Sequence, residues 1–292
     1  MNRTTCLALA MAGAAACALS ATVHAADDWT TPQTPFAVFG NTYYVGTRGL
    51  SALLLTSGEG HILIDGAGPE TPDQIARNIR ALGFRVEDVR VIVNSHAHFD
   101  HAGGIAQLQR LSGAEVLAGA AGAPVLRTGQ PDRGDPQYGD LPAMTPVARV
   151  RAVADGEVVR VGPLALTMHA TPGHARGGAT WTWQSAEGGR TAHIVYADSL
   201  NAYGAQTFRY SGDPAYPQAR ADVERSIATV AALPCDILVS AHPEASGLWQ
   251  RHARRARDGN AAFFDSGACR AYAQRARARL QKVLAEEAGS RQ

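Results

Sequence analysis

Lysine is almost missing from this chain of 292 residues, with Lys282 the only one. Arg279 stands three positions before it, so no S-x-x-K motif exists and serine nucleophiles activated by that motif are excluded. Cysteine is scarce as well: there are four, and none lies between Cys17 and Cys235. An excess of either charge is also absent, since 27 Lys and Arg face 26 Asp and Glu. Such a balance offers no electrostatic footprint for nucleic acid or an anionic membrane, and Arg251, Arg254, Arg255 and Arg257 read as a solvated helix face. No Ser/Gly linker, long charge run or short repeat divides the chain. One large domain over residues 26–292 is therefore expected, long enough to bury a substantial core.

The first 25 residues stand apart. Met1-Asn2-Arg3 is a short positive region, Cys6 to Leu19 is apolar but too short to span a membrane, and Val23-His24-Ala25 is a small-residue cleavage signal. Residues 1–25 are expected to be a secretory signal peptide and the product periplasmic. A lipoprotein anchor at Cys17 is the alternative, but Ala14-Ala15-Ala16 lacks the branched residue expected ahead of it. Cleavage would remove Arg3 and no acid, leaving 26 bases and 26 acids, and would leave Cys235 and Cys269 as the last two cysteines. In an oxidising compartment a bridge between them is the simple outcome, and two unpaired core thiols are the other.

Histidine, by contrast, is concentrated. Ser95-His96-Ala97-His98-Phe99-Asp100-His101-Ala102-Gly103-Gly104 holds three histidines and a carboxylate within six residues. The run from Val89 to Asn94 before it reads as a buried strand, with a helix starting near Gly104, so the cluster falls at a strand's C-terminal end. Imidazole and carboxylate together suit Zn²⁺ and similar ions, while the lack of a neighbouring thiolate argues against an iron–sulfur or zinc-finger site. His174 follows a strand-like stretch from Leu164 to Ala170, and His242 follows another from Asp236 to Val239. Six candidate ligands result, enough for two metals with three protein ligands each and open positions for water, as a catalytic site requires. His61, His169, His193 and His252 lack ligand spacing. Trp181 and Trp183 alternate with threonines, as the two faces of one strand do.

Strand signals recur at Ala37–Phe39, Thr42–Val45, Ala52–Thr56 and His61–Asp65, and Thr71 to Leu82 reads as a helix with Thr71 placed to cap it and Pro72 in its first turn. Helices are expected over Gly104–Leu111 and Ala120–Arg127, around a short strand at Glu115–Leu117. Thr128 to Pro146 loses periodicity and reads as a long loop, placed to line a groove or to run passively over the surface. Further strands fall near Val158–Val161, Ala179–Gln184 and Ala192–Ala197, with helices over Pro217–Ala232 and from Ser246 and Ser266. Strand-rich blocks alternating with helices indicate an α/β fold.

Several of these segments resemble the metallo-β-lactamase superfamily and, within it, subclass B3. They are Pro35-Phe36 leading into Tyr43-Tyr44-Val45-Gly46-Thr47, Leu63-Ile64-Asp65-Gly66, the H-x-H-x-D-H run, Gly173-His174, Trp181-Thr182-Trp183, Tyr196-Ala197-Asp198-Ser199-Leu200 and Ser240-Ala241-His242-Pro243. The subclass rests on His101 after Asp100, and on Ser199 where other subclasses carry a zinc-binding cysteine. The resemblance implies a four-layer αβ/βα sandwich and two zinc ions per chain, with His96, His98 and His174 on the first and Asp100, His101 and His242 on the second. It implies that Asp100 also orients the attacking hydroxide, that Cys235 and Cys269 form a disulfide, and that the reaction is hydrolysis of penicillins, cephalosporins and carbapenems. Ser199 and Asn201 are expected to bind the substrate carboxylate, although Asn201 could equally be a turn residue. Ala175-Arg176 replaces the Thr-Pro of many relatives, which adds a cation beside a ligand. The alternative is another exported hydrolase of the superfamily, a lactonase or glyoxalase-II-like thioesterase, in which Asp198 would bridge both metals. A noncatalytic metal-binding scaffold would be expected to show a degraded ligand set, and this chain keeps all six.

Overall fold

The structure, a computed structural model, describes residues 28–290. The expected signal peptide and Cys17 lie outside them. Two sheets stack face to face, each with helices on its outer side. The first has seven strands in chain order: β1 (Phe36–Phe39), β2 (Thr42–Tyr44), β3 (Leu53–Leu55), β4 (His61–Ile64), β5 (Val89–Val93), β6 (Glu115–Gly119) and β7 (Val150–Val153). Strands β1 to β4 form an antiparallel meander, and β4 to β7 run parallel. The second holds β8 (Val158–Val161), β9 (Leu164–Ala170), β10 (Ala179–Glu187), β11 (Arg190–Ala197) and β12 (Ile237–Ser240), antiparallel except for the parallel pair β11 and β12.

Alternation along each strand sorts the core into three layers. Between the sheets, Leu53, Leu55, Ile62, Ile64, Val91 and Val93 meet Leu166, Met168, Trp181, Trp183, Ile194 and Tyr196. Outside the first sheet, Leu54, Leu63, Ile92 and Val116 pack on α1 (Pro72–Ala81), α3 (Ile105–Ser112) and α4 (Gly122–Thr128) through Ile75, Ile79, Ile105, Leu108 and Leu126. Outside the second, Val195 and Leu238 pack on α5 (Ala219–Ala232) and α8 (Ala268–Gly289) through Val223, Ile227, Tyr272 and Leu280. This is the expected αβ/βα sandwich, in which each fully buried Leu or Ile contributes about 1.5–3 kcal/mol. Both tryptophans of β10 are buried and face the inner layer.

Local differences from the sequence reading have physical causes. Thr71 does occupy the N-cap position of α1, but its hydroxyl donates to the Gly68 carbonyl (2.8 Å) instead of capping the helix. Strand β7 was not foreseen: it is an edge strand in which Arg151 and Ala152 are exposed, so it shows no apolar alternation. The helix expected from Ser246 starts only at Leu248, because Gly247 (φ +71°) closes a 3₁₀ turn at Pro243–Ser246, and it runs as two short pieces, α6 (Leu248–Ala253) and α7 (Arg255–Asp258). Cys235 and Cys269 are disulfide-bonded, joining the approach to β12 to the first turn of α8 and excluding the free-thiol alternative.

Candidate metal centre

Strands β5, β9, β11 and β12 all end on the same side of the sandwich. Immediately beyond those ends stand His96 and His98, His174, Asp198 and Ser199, and His242. His98 occupies the N-cap position of the short helix α2 (Phe99–Ala102), whose first turn carries Asp100 and His101. The approach to His96 is fixed by Asp65, a non-glycine residue at φ +61°. Its buried carboxylate accepts from the Ser95 backbone N–H (2.7 Å), the Ser95 hydroxyl (2.7 Å), the Asn94 amide (2.9 Å) and the Tyr196 hydroxyl (2.7 Å). A left-handed conformation at Asp is tolerable when its side chain is so engaged.

Among the described residues, two groups hold donor atoms within 4.8 Å of one another and could hold a metal: His96, His98 and His174, and His96, Asp100 and His101. His242 joins the second group, its Nε2 lying 3.3 Å from Asp100 Oδ2 and 3.1 Å from His101 Nε2. The sequence-based pair of trios is thus assembled, with His96 touching both. Each histidine of the first trio has one ring nitrogen engaged on its outer side. His96 Nδ1 meets Asp198 Oδ1 at 2.7 Å, His98 Nε2 meets Asp135 Oδ2 at 2.9 Å, and His174 Nδ1 donates to the Asn201 carbonyl at 2.8 Å. The other nitrogen of each ring faces inward, His96 Nε2 without any partner and His98 Nδ1 and His174 Nε2 toward the Gln137 amide only, and bracing of this kind from behind fixes tautomer and orientation in metal sites.

Electrostatics favour the same assignment. Burial drives His96 well below its usual range, helped by His101, His98 and His174, and drives His174 down to about 3 against the opposing Asn201 carbonyl. Burial alone would raise Asp100, but His101 and His242 outweigh it and hold the carboxyl well below the usual range. His101 is raised despite burial because Asp100 stands beside it. Burial pushes Asp198 well up, so the metal-free His96–Asp198 pair prefers its uncharged forms. His96 Nε2 is buried with no hydrogen-bond partner, as are His101 Nδ1 and Asp198 Oδ2. An orphaned buried polar atom costs about 1–3 kcal/mol, and a cation accepting the His96 lone pair removes that cost. The residues present therefore fit a divalent metal with nitrogen and oxygen donors.

Ser199 is buried, next in the chain to Asp198, while Asn201 is exposed and contributes its backbone carbonyl to His174. Arg176 turns to the Asp132 carboxylate (3.2 Å) and stacks over the Tyr216 ring at 5.7 Å. Three neighbours escaped the sequence reading: Asp135 behind His98, Gln137 with its amide nitrogen 3.5 Å from His98 Nδ1 and 3.4 Å from His174 Nε2, and Trp29, whose ring lies 5.7 Å from that of His242. Asp135 and Gln137 lie in the 128–146 segment, so this loop does line the site, and Ala205 N–H donates to the Pro136 carbonyl (2.8 Å), joining it to the loop after Asn201. A groove of about 830 Å³ lies elsewhere, beside Thr167, His169, Thr182, Gln184 and His193, and holds none of the six ligand candidates.

The profile of the metallo-beta-lactamase superfamily matches residues 45–242. Among solved structures, MEM-A1, a subclass B3 metallo-beta-lactamase from a soil metagenome library, is 66% identical, with 90% of this chain and 100% of that one covered and a TM-score of 0.89. The metallo-beta-lactamase SMB-1 is 51% identical over 89% of this chain and 99% of its own, with a TM-score of 0.87. A hydroxyacylglutathione hydrolase of Anaeromyxobacter dehalogenans is 33% identical over 162 residues, 56% of this chain. The chain spans about half the length of the curated relatives it matches. With its sandwich, its histidine cluster and these likenesses taken together, the chain belongs to the metallo-β-lactamase superfamily and, within it, to subclass B3.

Proposed function

We propose that residues 26–292 form a periplasmic hydrolase that opens the β-lactam amide of penicillins, cephalosporins and carbapenems with two zinc ions per chain, after removal of residues 1–25. The observation that carries this is the convergence of His96, His98 and His174 beside Asp100, His101 and His242, each first-trio ring braced from behind. Zinc bound there supplies Lewis acidity and lowers the pKa of water to about 7. The chain's own part is orientation and charge. Asp100, held as a carboxylate, accepts a hydrogen bond from the attacking water, sets its line of approach and offers an acceptor for its proton. Asp198, Asp135 and the Asn201 carbonyl keep the three rings aimed inward, while the Ser199 hydroxyl and Asn201 amide offer donors for the substrate carboxylate. No described helix is long and apolar enough to cross a membrane.

The rival thioesterase or lactonase reading has support in the names of the hydroxyacylglutathione hydrolases. Against it, Asp198 Oδ1 is engaged by His96 Nδ1 from behind that ring, and Asp198 belongs to neither candidate ligand group. One experiment separates the two: turnover of a carbapenem, a penicillin, an acyl-homoserine lactone and a glutathione thioester by the purified protein, side by side. Carbapenem and penicillin hydrolysis should dominate, vanish with a strong chelator, return with Zn²⁺ and resist clavulanate. Dominant thioester or lactone turnover, or full activity after verified metal removal, would overturn this reading.

A further inference from the structure

A second line of support reaches His174 from the far end of the chain. Glu287, in the last turns of α8, is buried to within 8% exposure, which a carboxylate tolerates only when its oxygens are satisfied. Here each oxygen accepts one of two successive backbone N–H groups, Tyr210 to Oε1 and Ser211 to Oε2, both at 2.8 Å. Such charge-assisted bonds are among the stronger ones available to a loop. They fix the backbone of Tyr210, whose side chain is itself buried. Burial raises the phenol's pKa, so the hydroxyl keeps its proton and acts as a donor. Its acceptors are the Gly173 carbonyl (3.1 Å) and the Tyr203 carbonyl (3.3 Å), one on each side of the His174–Asn201 hydrogen bond.

Gly173 cannot hold its shape by packing a side chain. It sits at φ +132°, and a Cβ there would lie 2.4 Å from Val223 Cγ2. Its N–H closes a tight turn on the Ala175 carbonyl (3.1 Å), with His174 between them. The direction of the Gly173 carbonyl, and with it the peptide leading into His174, is thus left to the Tyr210 hydroxyl. We propose that Tyr210 and Glu287 are positioning residues for His174, so that the end of the C-terminal helix tunes the first metal trio. Neither residue belongs to that trio, and the proposal rests on the reading of His174 as a ligand.

The test titrates zinc alone into metal-depleted protein against a chromophoric chelator, and compares wild type, His174→Ala, Tyr210→Phe and Glu287→Gln. The Tyr210→Phe variant removes one hydroxyl and keeps the ring. Glu287→Gln keeps the size but turns an N–H₂ toward a backbone N–H. The His174→Ala arm identifies which of the two binding steps belongs to the first trio. Both positioning variants should weaken that same step about 10- to 100-fold, the usual effect of losing an outer support, and leave the other step unchanged. Unchanged affinity in Tyr210→Phe, or equal weakening of both steps as general loosening would give, overturns the inference. If His174→Ala itself leaves both steps intact, the ligand assignment fails and the inference fails with it.

Discussion

Asp198 is the residue on which the two hydrolase readings divide. Its carboxyl stands behind His96, so truncation should leave Nδ1 of that ring with only the long contact to the Ser95 hydroxyl (3.5 Å) while keeping the ligand set whole. We expect Asp198→Ala to retain close to two zincs per chain and to lose about 10- to 100-fold in turnover, whereas Asp100→Ala and His242→Ala should each lose a zinc and orders of magnitude more. Elemental analysis beside β-lactam turnover decides it. A drop to one zinc in natively folded Asp198→Ala would make Asp198 a ligand and revive the rival reading. The six ligand candidates were legible in the sequence because His and Asp at that density have few other uses. Asp135 and Gln137 were not, since an Asp between Gly134 and Pro136 reads as a turn former and an isolated Gln carries no signal; only the fold brings them to His98.

Elements were legible where burial imposes a period. Strand β5 reads as an apolar run broken only by the exposed Arg90, because neighbouring strands flank it on both sides and Val91 to Val93 are buried in succession, whereas β7, exposed along its edge, leaves no such trace. The disulfide acts at this scale too, tying α8 to the strand that delivers His242 across a separation of 34 residues. Replacing both Cys235 and Cys269 by Ala should lower unfolding stability by about 3–4 kcal/mol on the chain-entropy account. Zinc content should stay the same, because neither sulfur belongs to a candidate ligand group. Denaturant unfolding of the metal-free double variant checks the first part, and a midpoint equal to wild type would show that the bridge contributes nothing.

For the molecule as a whole, acid acts through the buried histidines. His96 and His174 are kept neutral in the fold, while the unfolded chain protonates them near pH 6.5, so unfolding takes up protons and stability falls as pH drops below that value. His101 acts in the opposite sense: Asp100 raises its pKa, so its contribution is fully present below 6.5 and is lost as pH rises through the raised value. Asp198 and Asp65 act with His101, because burial raises both carboxyls and the fold holds protons that the unfolded chain releases above its ordinary carboxylate pKa. The contribution of His174 is therefore read by difference: between pH 7 and pH 5, metal-depleted wild type should lose about 2 kcal/mol more stability, or gain about that much less, than metal-depleted His174→Ala. Chemical unfolding of both proteins in the presence of chelator at the two pH values measures this, and an identical pH dependence would contradict it.

The hydrogen bond between Ala205 and Pro136 has an evolutionary reading. It welds two loops that the chain encodes some seventy positions apart, and Gly204 keeps the seam close because a Cβ there would come within 3.1 Å of the Pro136 carbonyl. Loops usually drift in length independently of one another. These two cannot: a deletion near Tyr138 withdraws the acceptor that holds the neighbourhood of Tyr203, and an insertion after Asn201 pushes against Asp135 and Gln137. Lineages that reshape the mouth of this pocket should inherit changes in both loops together, and grafting one loop from a relative should succeed only when its counterpart travels with it.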